Sequence, residues 1–587
     1  MSKDCGASRQ DEAPASARPA IRRSRAGLPR TIALLVVQAL MAVHIAHWAS
    51  TGRSLSPLEP SEGMEFGKSG VVNAGLIFFG LTVASTLVLG RWFCGWACHV
   101  VALQDASRWL LLKLRIRPRL VNLGVLGVVP WIAFVYMFLA PLVQRLLTGH
   151  EFGVRGVHLT TTSFWATFPS WPVALLTLGF CGFAVVYFLG AKGFCTYGCP
   201  YGALFGVVDQ LAPVRIRVRD SCEGCGHCTA VCTSNVRVHQ EVRDWGMVVD
   251  AGCMKCLDCV SVCPTNSLYV GAGTPALFAK RRAGAKPQSS RADALGRAVL
   301  LGVFLFAAFA VFLSYDGPLD VRLALVLSAA SFVVAQVFRG KAQRKAEYAL
   351  GEEVLLAILF LLAMLAFRGY RGWVPFLFAL GLSASLAYVT VQWLRTLYAP
   401  DVAVQKHTLR RGGRWTRGGA IFTAVMVPVV VLWFTAGAEQ ARSRENAAHA
   451  QHLFEQAVLA SNDNRFAEAV DLLRRAIAID PSRADVRTSL GSLLCGAGRY
   501  TEGIGVLEEA RALRPNDTEI LMTLARAYAV IQDAARAKEQ IEHALAIAPG
   551  RAELHYVYAL LCEQLRDVEC ARAQYAEVER LQPDFKP

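Results

Sequence analysis

Nine apolar stretches of about 20 residues constrain the fold of this chain more than any other feature of its sequence. They lie at residues 31–49, 71–90, 122–143, 172–190, 296–314, 318–337, 352–368, 373–394 and 418–436. Each is long enough to cross a bilayer, and the bilayer interior accepts helices because they satisfy their own backbone hydrogen bonds. The first stretch follows a basic leader, but its apolar core is longer than that of a signal peptide, so we interpret it as an anchor. The sequence therefore predicts a mainly α, polytopic membrane protein.

Basic residues cluster beside these stretches. The chain of 587 residues carries a net charge of +16, which by itself would suit nucleic acid. The clusters are Arg115–Arg119, Lys280–Arg282, Arg339–Lys341 and Arg410–Arg414. Because such clusters mark cytoplasmic loops, they indicate orientation in a bacterial inner membrane and argue against nucleic-acid binding. An odd number of spans then places residues after 437 in the periplasm.

Cysteines are concentrated in one doubled motif. Its two halves are Cys222-x2-Cys225-x2-Cys228-x3-Cys232 and Cys253-x2-Cys256-x2-Cys259-x3-Cys263-Pro264. Three cysteines at this spacing wrap one cubane, and the fourth ligates the other cluster. The predicted ligand sets for two [4Fe-4S] clusters are therefore Cys222, Cys225, Cys228 and Cys263 for the first, and Cys253, Cys256, Cys259 and Cys232 for the second. A zinc site needs only four ligands and does not explain eight in this crossed pattern.

A second cysteine pattern repeats at an offset of 101 residues. Arg91-Trp-Phe-Cys94-Gly-Trp-Ala-Cys98 matches Lys192-Gly-Phe-Cys195-Thr-Tyr-Gly-Cys199. Cysteines four apart share one face of a helix, so we expect each pair to lie on such a face. The pairs then hold an additional metal, form a reversible disulfide, meet each other, or pack as small apolar side chains.

The C-terminal tail contains a repeat of 34 residues. Prolines 481, 515, 549 and 583 recur in similar contexts, and small residues recur in phase. These small residues are Ala457, Gly491, Ala525 and Ala559 in a first helix, and Ala469, Gly503, Ala537 and Ala571 in a second. The pattern resembles four tetratricopeptide repeats, an α-solenoid that binds a protein or peptide partner; the alternative is an ordinary helical bundle.

With both cysteine patterns in view, the first 275 residues resemble the NapH, NosR, CcoG and MauN group of membrane polyferredoxins. The resemblance implies electron transfer between cytoplasmic or quinol donors and a periplasmic redox system. It also implies two alternatives, which are an assembly factor or metal reductase like CcoG, and a scaffold with structural clusters. In the first case the chain is a non-catalytic component of an oxidoreductase system with redox protein partners. His99 stands where the group has proline.

The predicted domain order follows from these features. It is a polar tail (1–27), a four-helix membrane domain with the Cys-x3-Cys motifs (28–204), a two-cluster α+β ferredoxin domain on the cytoplasmic side (205–275), a basic linker (276–294), a five-helix membrane domain (295–437) and a periplasmic repeat domain (438–587).

Other candidate residues have weaker patterns. His44 and His47 share a face of the first span, but no matching pair elsewhere supports bis-histidine haem, so a quinol or proton role and interfacial packing remain open. His99 is a candidate further ligand beside Cys98. Cys181 is expected in the core of a span, and Cys5 in a disordered tail. Cys562 and Cys570 are expected on two helices of one repeat, where a disulfide would join them.

Overall fold

The computed structural model describes most of the chain. The described residues are 24–51, 54–118, 121–147, 153–154, 156–161, 175–176, 178–219, 222–234, 236–282, 291–315, 320–339, 347–369 and 375–582. The chain divides into two compact units, Met1–Gly437 and Ala438–Pro587. Cys5 lies outside the described residues, as does the side chain of Cys181.

Apolar helices dominate the first unit. Among the described residues, five are long and apolar enough to cross a membrane, namely Gly27–Thr51, Gly124–Leu147, Asp293–Leu313, Leu350–Phe367 and Phe376–Tyr398. Three shorter apolar helices, Ala74–Leu89, Val321–Val337 and Arg417–Trp433, coincide with three further predicted stretches. The stretch 172–190 falls partly outside the described residues. The mainly α membrane fold is confirmed, and the count of nine spans stays a prediction.

Two of these helical regions are irregular. The span that begins at Gly124 passes from a 3-10 turn into the helix Val129–Phe134, a π-helical turn Val135–Leu139 and the helix Ala140–Leu147. A second π-helical turn, Leu178–Ala184, leads into the helix Val185–Leu189. Such turns often occur next to functional sites, and both regions lie close to the cysteine motifs in the fold.

Short helices carry the Cys-x3-Cys motifs and pack on the helix Ala74–Leu89. The helices Trp92–Trp96 and His99–Lys113 follow Ala74–Leu89 in the chain. The helices Gly193–Tyr197 and Pro200–Asp209 follow Val185–Leu189. An aromatic cluster joins them, with the ring centroids of Phe79 and Phe93 5.8 to 6.1 Å from that of Phe205. Edge-to-face aromatic packing of this kind contributes about 0.5–1.5 kcal/mol per pair beyond the area it buries.

The described residues of the predicted ferredoxin domain that follow the helix Pro200–Asp209 form one short sheet and three short helices. Arg215–Val218 pairs antiparallel with Leu268–Gly271, so the two ends of the segment lie side by side. The helices between them are His227–Ala230, Val238–Trp245 and Asp258–Ser261. The predicted small α+β insertion in a helical membrane protein is confirmed.

Small strands complete the first unit. Ser54–Leu55 pairs with Thr160–Thr161, and Val71–Asn73 with Gly156–His158. Val402–Val404, His407–Arg411 and Arg414–Trp415 form a hairpin sheet between the helices Phe376–Tyr398 and Arg417–Asn462. The remaining long helices are Arg291–Leu313, Val321–Arg339 and Leu350–Gly369.

The second unit is a stack of helices. After Arg417–Asn462 come Phe466–Ile479, Ala484–Gly496, Tyr500–Leu513, Thr518–Val530, Ala534–Ile547, Ala552–Gln564 and Val568–Leu581. The in-phase small residues are buried, with Ala457, Ala525 and Ala559 at most 1% exposed. Helices approach closely where these residues lie, and this confirms the predicted tetratricopeptide fold.

Candidate functional site

The two halves of the doubled cysteine motif adopt the same backbone conformation. Gly224 and Gly226 in the first loop have φ values of 69° and 74°. Lys255 and Leu257, at the equivalent positions of the second loop, have φ values of 51° and 65°. Positive φ is uncommon for residues with side chains. Alternating left-handed residues turn successive backbone N–H groups toward one concavity, a geometry suited to the sulfurs of an iron-sulfur cluster.

The cysteines of this motif line the small core of the ferredoxin domain. Cys228, Cys253 and Cys259 are buried among the valines of that core, while Cys232 and Cys263 pack at its edge. Burial, with a smaller contribution from repulsion by Cys225 and Cys222, raises the pKa of Cys228 to about 12. A metal centre must therefore displace protons from these thiols when it binds.

Cys232 lies with the cysteines of the second loop. Burial raises the pKa of Cys232, and repulsion from Cys256 and Cys253 adds to the shift. Cys259 in turn interacts with Cys253, Cys256 and Cys232. The fourth cysteine of the first half thus crosses to the second half, as the motif predicts for its ligand set.

Within the described residues, no group of three or more His, Cys, Asp or Glu side chains converges on a point suited to a single metal ion. A cubane holds its thiolates farther apart than one ion does, because iron and sulfide occupy the space between them. The thiol donors and the repeated left-handed loops suit iron-sulfur clusters of this kind, and the number of clusters and their ligand sets stay predictions.

The Cys-x3-Cys pairs do not lie on one helix face, so that prediction is wrong. Cys94 lies inside the helix Trp92–Trp96, whereas Cys98 is the extended residue that precedes the next helix, with φ −86° and ψ 122°. Cys199 occupies the same position in the second copy, with φ −86° and ψ 110°. Pro200 opens a new helix there, because proline suits a first helical turn and cannot continue the one before it.

The two pairs meet in one group, which we call the cysteine quartet: Cys94, Cys98, Cys195 and Cys199. Three of its thiols are buried and Cys98 is half-buried. Burial raises the pKa of Cys98 to about 12, and repulsion from Cys94 and Cys195 contributes. Gln104 Nε2 donates a hydrogen bond to Cys195 Sγ over 3.0 Å. The duplicated motif thus builds one site from two halves.

The quartet lies directly against the second cluster loop, Cys253–Cys259. A Cβ atom on Gly95 would be 2.2 Å from the carbonyl oxygen of Met254, so only glycine permits this approach. Trp96 Nε1 donates to the carbonyl of Lys255 over 3.0 Å. Arg91 Nη1 donates to the carbonyl of Ala251 over 3.1 Å. Two contacts therefore connect the first Cys-x3-Cys motif to the loop of the second predicted cluster, and a third connects it to Ala251 just before that loop.

Buried ion pairs hold this junction together. Asp209 accepts hydrogen bonds from Lys255 Nζ over 2.7 Å and from Arg215 Nη2 over 2.9 Å. Asp209 also accepts the backbone N–H of Arg91. Burial raises the pKa of Asp209, but Lys255 and Arg215 outweigh burial and the net pKa is lowered. In the second copy, Lys192 pairs with Asp105 over 2.5 Å.

A cavity of about 840 Å³ opens beside the quartet. Its lining includes Cys195, Arg91 and Met254 from the junction, and Trp131 and Leu301 from the membrane helices. Among the described residues, Arg91 Nη2 and Trp131 Nε1 are buried donors without a hydrogen-bond partner. The cavity therefore joins an apolar wall to polar donors next to a thiol.

The other sequence candidates have ordinary partners. His44 Nε2 lies 3.1 Å from the carbonyl of Leu55, and His47 Nδ1 lies 3.2 Å from Ser54 Oγ. His99 Nε2 lies 3.8 Å from a carboxylate oxygen of Glu59. Two residues that sequence reasoning did not assign to the site, Gln104 and Asp209, are central to it. In the sequence, the one feature that could have identified Gln104 and Asp209 is a polar residue within the helix that follows each Cys-x3-Cys motif.

Comparisons with known proteins match two separate parts of the chain. A family model described as a 4Fe-4S binding domain matches residues 73–118 and 171–219. Each of these stretches contains one Cys-x3-Cys motif. A tetratricopeptide repeat model matches residues 460–527 and 494–561.

Several curated proteins are similar to the first half. MauN of Methylorubrum extorquens, a methylamine utilization ferredoxin-type protein, is 29% identical over 215 residues, which is 34% of this chain and 68% of MauN. NapH of Haemophilus influenzae, a ferredoxin-type protein, is 28% identical over 32% of this chain and 65% of NapH. YccM of Escherichia coli (strain K12) is 28% identical over 33% of this chain, and the match spans about half of YccM, 54%.

Solved structures match the helical repeats. The crystal structure of MamA has a TM-score of 0.22 and 18% identity, covering 23% of this chain and 75% of that chain. YrrB, described as a TPR protein with an unusual peptide-binding site, has a TM-score of 0.22 and 18% identity, covering 29% of this chain and 84% of that chain. Over about a third of its length the chain is thus similar to ferredoxin-type proteins such as MauN and NapH, and its C-terminal part carries tetratricopeptide repeats.

Proposed function

We propose that this chain carries electrons between a cytoplasmic or quinol donor and a periplasmic redox system. The single observation that carries the proposal is the contact between the quartet and the second cluster loop, where Gly95 touches Met254. A structural cluster would not need a second thiol site fastened to its ligand loop. When bound, the clusters supply one-electron redox chemistry.

The proposed order of redox sites follows from the crossed ligands and the contacts. Cys222, Cys225, Cys228 and Cys263 would hold the first cluster; Cys253, Cys256, Cys259 and Cys232 would hold the second. The second lies next to the quartet through the Gly95 and Trp96 contacts. The quartet then connects the ferredoxin domain with the membrane helices, either as the ligands of an additional metal centre or as a redox disulfide.

The cavity beside Cys195 is the proposed quinol site. A quinol headgroup is a flat apolar ring with oxygen atoms at opposite ends, and it travels in the membrane. Apolar side chains such as Val125 and Leu301 would contact the ring. Arg91 Nη2 and Trp131 Nε1 are the donors available to its oxygens.

The repeats are proposed to dock a protein partner in the periplasm. Helical repeats of this kind present an extended concave surface that binds peptides and proteins. Many of their charged residues pair with each other, as Arg483 does with Asp485. This supports a rigid docking surface rather than a chemical site.

Iron content and electron paramagnetic resonance (EPR) of the purified full chain test the proposal. Two cubanes give about eight irons per chain, and a third at the quartet gives about twelve. Dithionite reduction should produce [4Fe-4S] signals. Cys232→Ser should remove the signal of the second cluster and spare the first, because Cys232 lies with Cys253 and Cys256.

The variant Cys94→Ser tests the quartet in the same way as Cys232→Ser tests the second cluster. If the quartet holds a metal centre, this variant loses about four irons and keeps eight. If it holds a redox disulfide, the iron content stays at eight. Absence of any [4Fe-4S] signal in the unaltered chain would refute electron carriage by these motifs.

A further inference from the structure

We propose that Arg91 provides the positive charge that balances the cysteine quartet, and that this charge sets the reduction potential of the redox group held there. The inference rests on the electron-transfer function proposed above and assigns a positioning and tuning residue within it. Arg91 is the basic residue that opens the first Cys-x3-Cys motif, and Lys192 is its equivalent in the second.

Arg91 is a buried cation whose side chain has no carboxylate partner within the described part of the chain. It is 5% exposed. Its Nε donates to Cys94 Sγ over 3.3 Å and its Nη1 to the carbonyl of Ala251 over 3.1 Å. Its Nη2 has no hydrogen-bond partner among the described residues. The guanidinium therefore contacts a thiol sulfur and a carbonyl oxygen, where a buried guanidinium ordinarily contacts a carboxylate.

The buried carboxylate of Asp209 does not fill that role. Asp209 accepts the backbone N–H of Arg91, but its two oxygens already bind the charged groups of Lys255 and Arg215. One carboxylate is thus shared by two cations, and its contact with Arg91 is made to the backbone rather than to the guanidinium. Lys192 differs in this respect, because Asp105 pairs with its Nζ.

An uncompensated buried charge is costly, so an anion is required next to Arg91. Among the described residues, the quartet thiol that contacts the guanidinium is Cys94, whose Sγ lies 3.3 Å from Arg91 Nε. Thiolate ligands of a metal centre, or a reduced dithiolate, would supply that anion at the quartet.

A fixed positive charge favours the more negative of two redox states. Reduction adds negative charge to a metal centre or converts a disulfide into thiolates. In a buried site the attraction between Arg91 and that charge is screened only weakly. The side chain also reaches Ala251, two residues before Cys253, so the same group orients the quartet toward the second cluster loop.

Redox titration of the purified full chain tests the inference. The quartet signal is identified as the one that Cys94→Ser removes; if the quartet is a disulfide, the readout is thiol alkylation at poised potentials. We expect Arg91→Gln to disfavour the reduced quartet at least tenfold, which is about 59 mV for one electron or about 30 mV for two. The signals of the two ferredoxin clusters should move less. Arg91→Lys, which keeps the charge, should remain within about threefold of the unaltered chain, or about 28 mV for one electron.

Lys192→Gln is the matched control, because Asp105 keeps Arg30 as a partner when Lys192 is neutral. Its shift should be smaller than that of Arg91→Gln. Equal shifts in the two variants, or an unchanged potential in a folded Arg91→Gln chain, would overturn the inference. If Arg91→Gln does not fold, a tenfold shift in Arg91→Lys overturns it instead. Absence of all cluster signals from the unaltered chain would refute the proposed function. Normal cluster signals, together with a quartet potential that does not depend on Arg91, would refute only this inference.

Discussion

Gly95 lies where any side chain would collide with the ferredoxin domain. Its Cβ would be 2.2 Å from the backbone oxygen of Met254, a contact that requires one backbone to move. We expect Gly95→Ala to destabilise the junction by about 1–3 kcal/mol, the usual cost of overpacking. Electron transfer from the ferredoxin clusters to the quartet should slow, because the two loops separate. Thermal unfolding and stopped-flow reduction of the purified variant measure both effects.

Gly80 provides the control for that substitution. It lies in the neighbouring helix Ala74–Leu89, and a Cβ there would meet no atom within 4 Å. Gly80→Ala should leave the transfer rate unchanged. Equal rates for Gly95→Ala and the unaltered chain would mean that this contact does not align the two sites.

The spacing of the cysteines identified them as candidate ligands, but it did not predict which other residues would contact them. The eight residues of the doubled motif and the two Cys-x3-Cys pairs could be named from local patterns alone. Arg91 was visible only as a repeated basic residue. Its contact with Ala251 joins residues 160 positions apart, which no local pattern encodes. The expectation that Cys94 and Cys98 share a helix face failed because the helix ends at Trp96, between the two cysteines.

At the level of helices and strands, apolar length and repeat period were the informative signals. The helices Ala74–Leu89 and Phe376–Tyr398 lie close to the predicted spans, because long apolar runs have few alternatives in a membrane. The π-helical turn Val135–Leu139 was not predictable, because it depends on packing against other helices rather than on composition. In the repeats, the period of 34 residues located the close-packed positions because every unit uses the same geometry.

The pair Gly491 and Gly503 tests that geometry. A Cβ on Gly491 would be 2.5 Å from Leu507 Cγ and 3.0 Å from the backbone oxygen of Gly503. We expect Gly491→Ala to lower the free energy of unfolding of the repeats by about 1–3 kcal/mol, because a flexible side chain and a backbone must both move. Urea unfolding of the full chain, followed by helical circular dichroism in its repeat-specific phase, measures the change.

Gly505 is the matched position on the helix Tyr500–Leu513. A Cβ there would meet no atom within 4 Å. Gly505→Ala should therefore stabilise the repeats by about 0.5–1 kcal/mol, the usual gain from replacing glycine inside a helix. Destabilisation by both substitutions, or by neither, would contradict the close-packed assignment.

For the whole molecule, the two units differ in the chemistry of their cysteines. Cys562 and Cys570 are joined by a disulfide, with their Cα atoms 5.8 Å apart. Disulfides persist in oxidising compartments such as the bacterial periplasm, whereas cluster ligands must stay reduced until the clusters are assembled. This difference supports the proposed placement of the repeats outside and the ferredoxin domain inside.

We expect a reporter of membrane topology to give different results when it is attached to each of the two units. Arg410, Arg411, Arg414 and Arg417 flank the N-terminal end of the apolar helix Arg417–Trp433, and such basic flanks remain in the cytoplasm. The chain after this helix should therefore emerge in the periplasm. An alkaline phosphatase fused after Pro587 should be active, and one inserted at 283–290 should be silent, because the enzyme needs its own disulfides to fold. A cytoplasmic fluorescent reporter should give the opposite pattern at the two sites. An active phosphatase at 283–290 with a silent one after Pro587 would reverse the orientation, and the partner of the repeats would then be cytoplasmic.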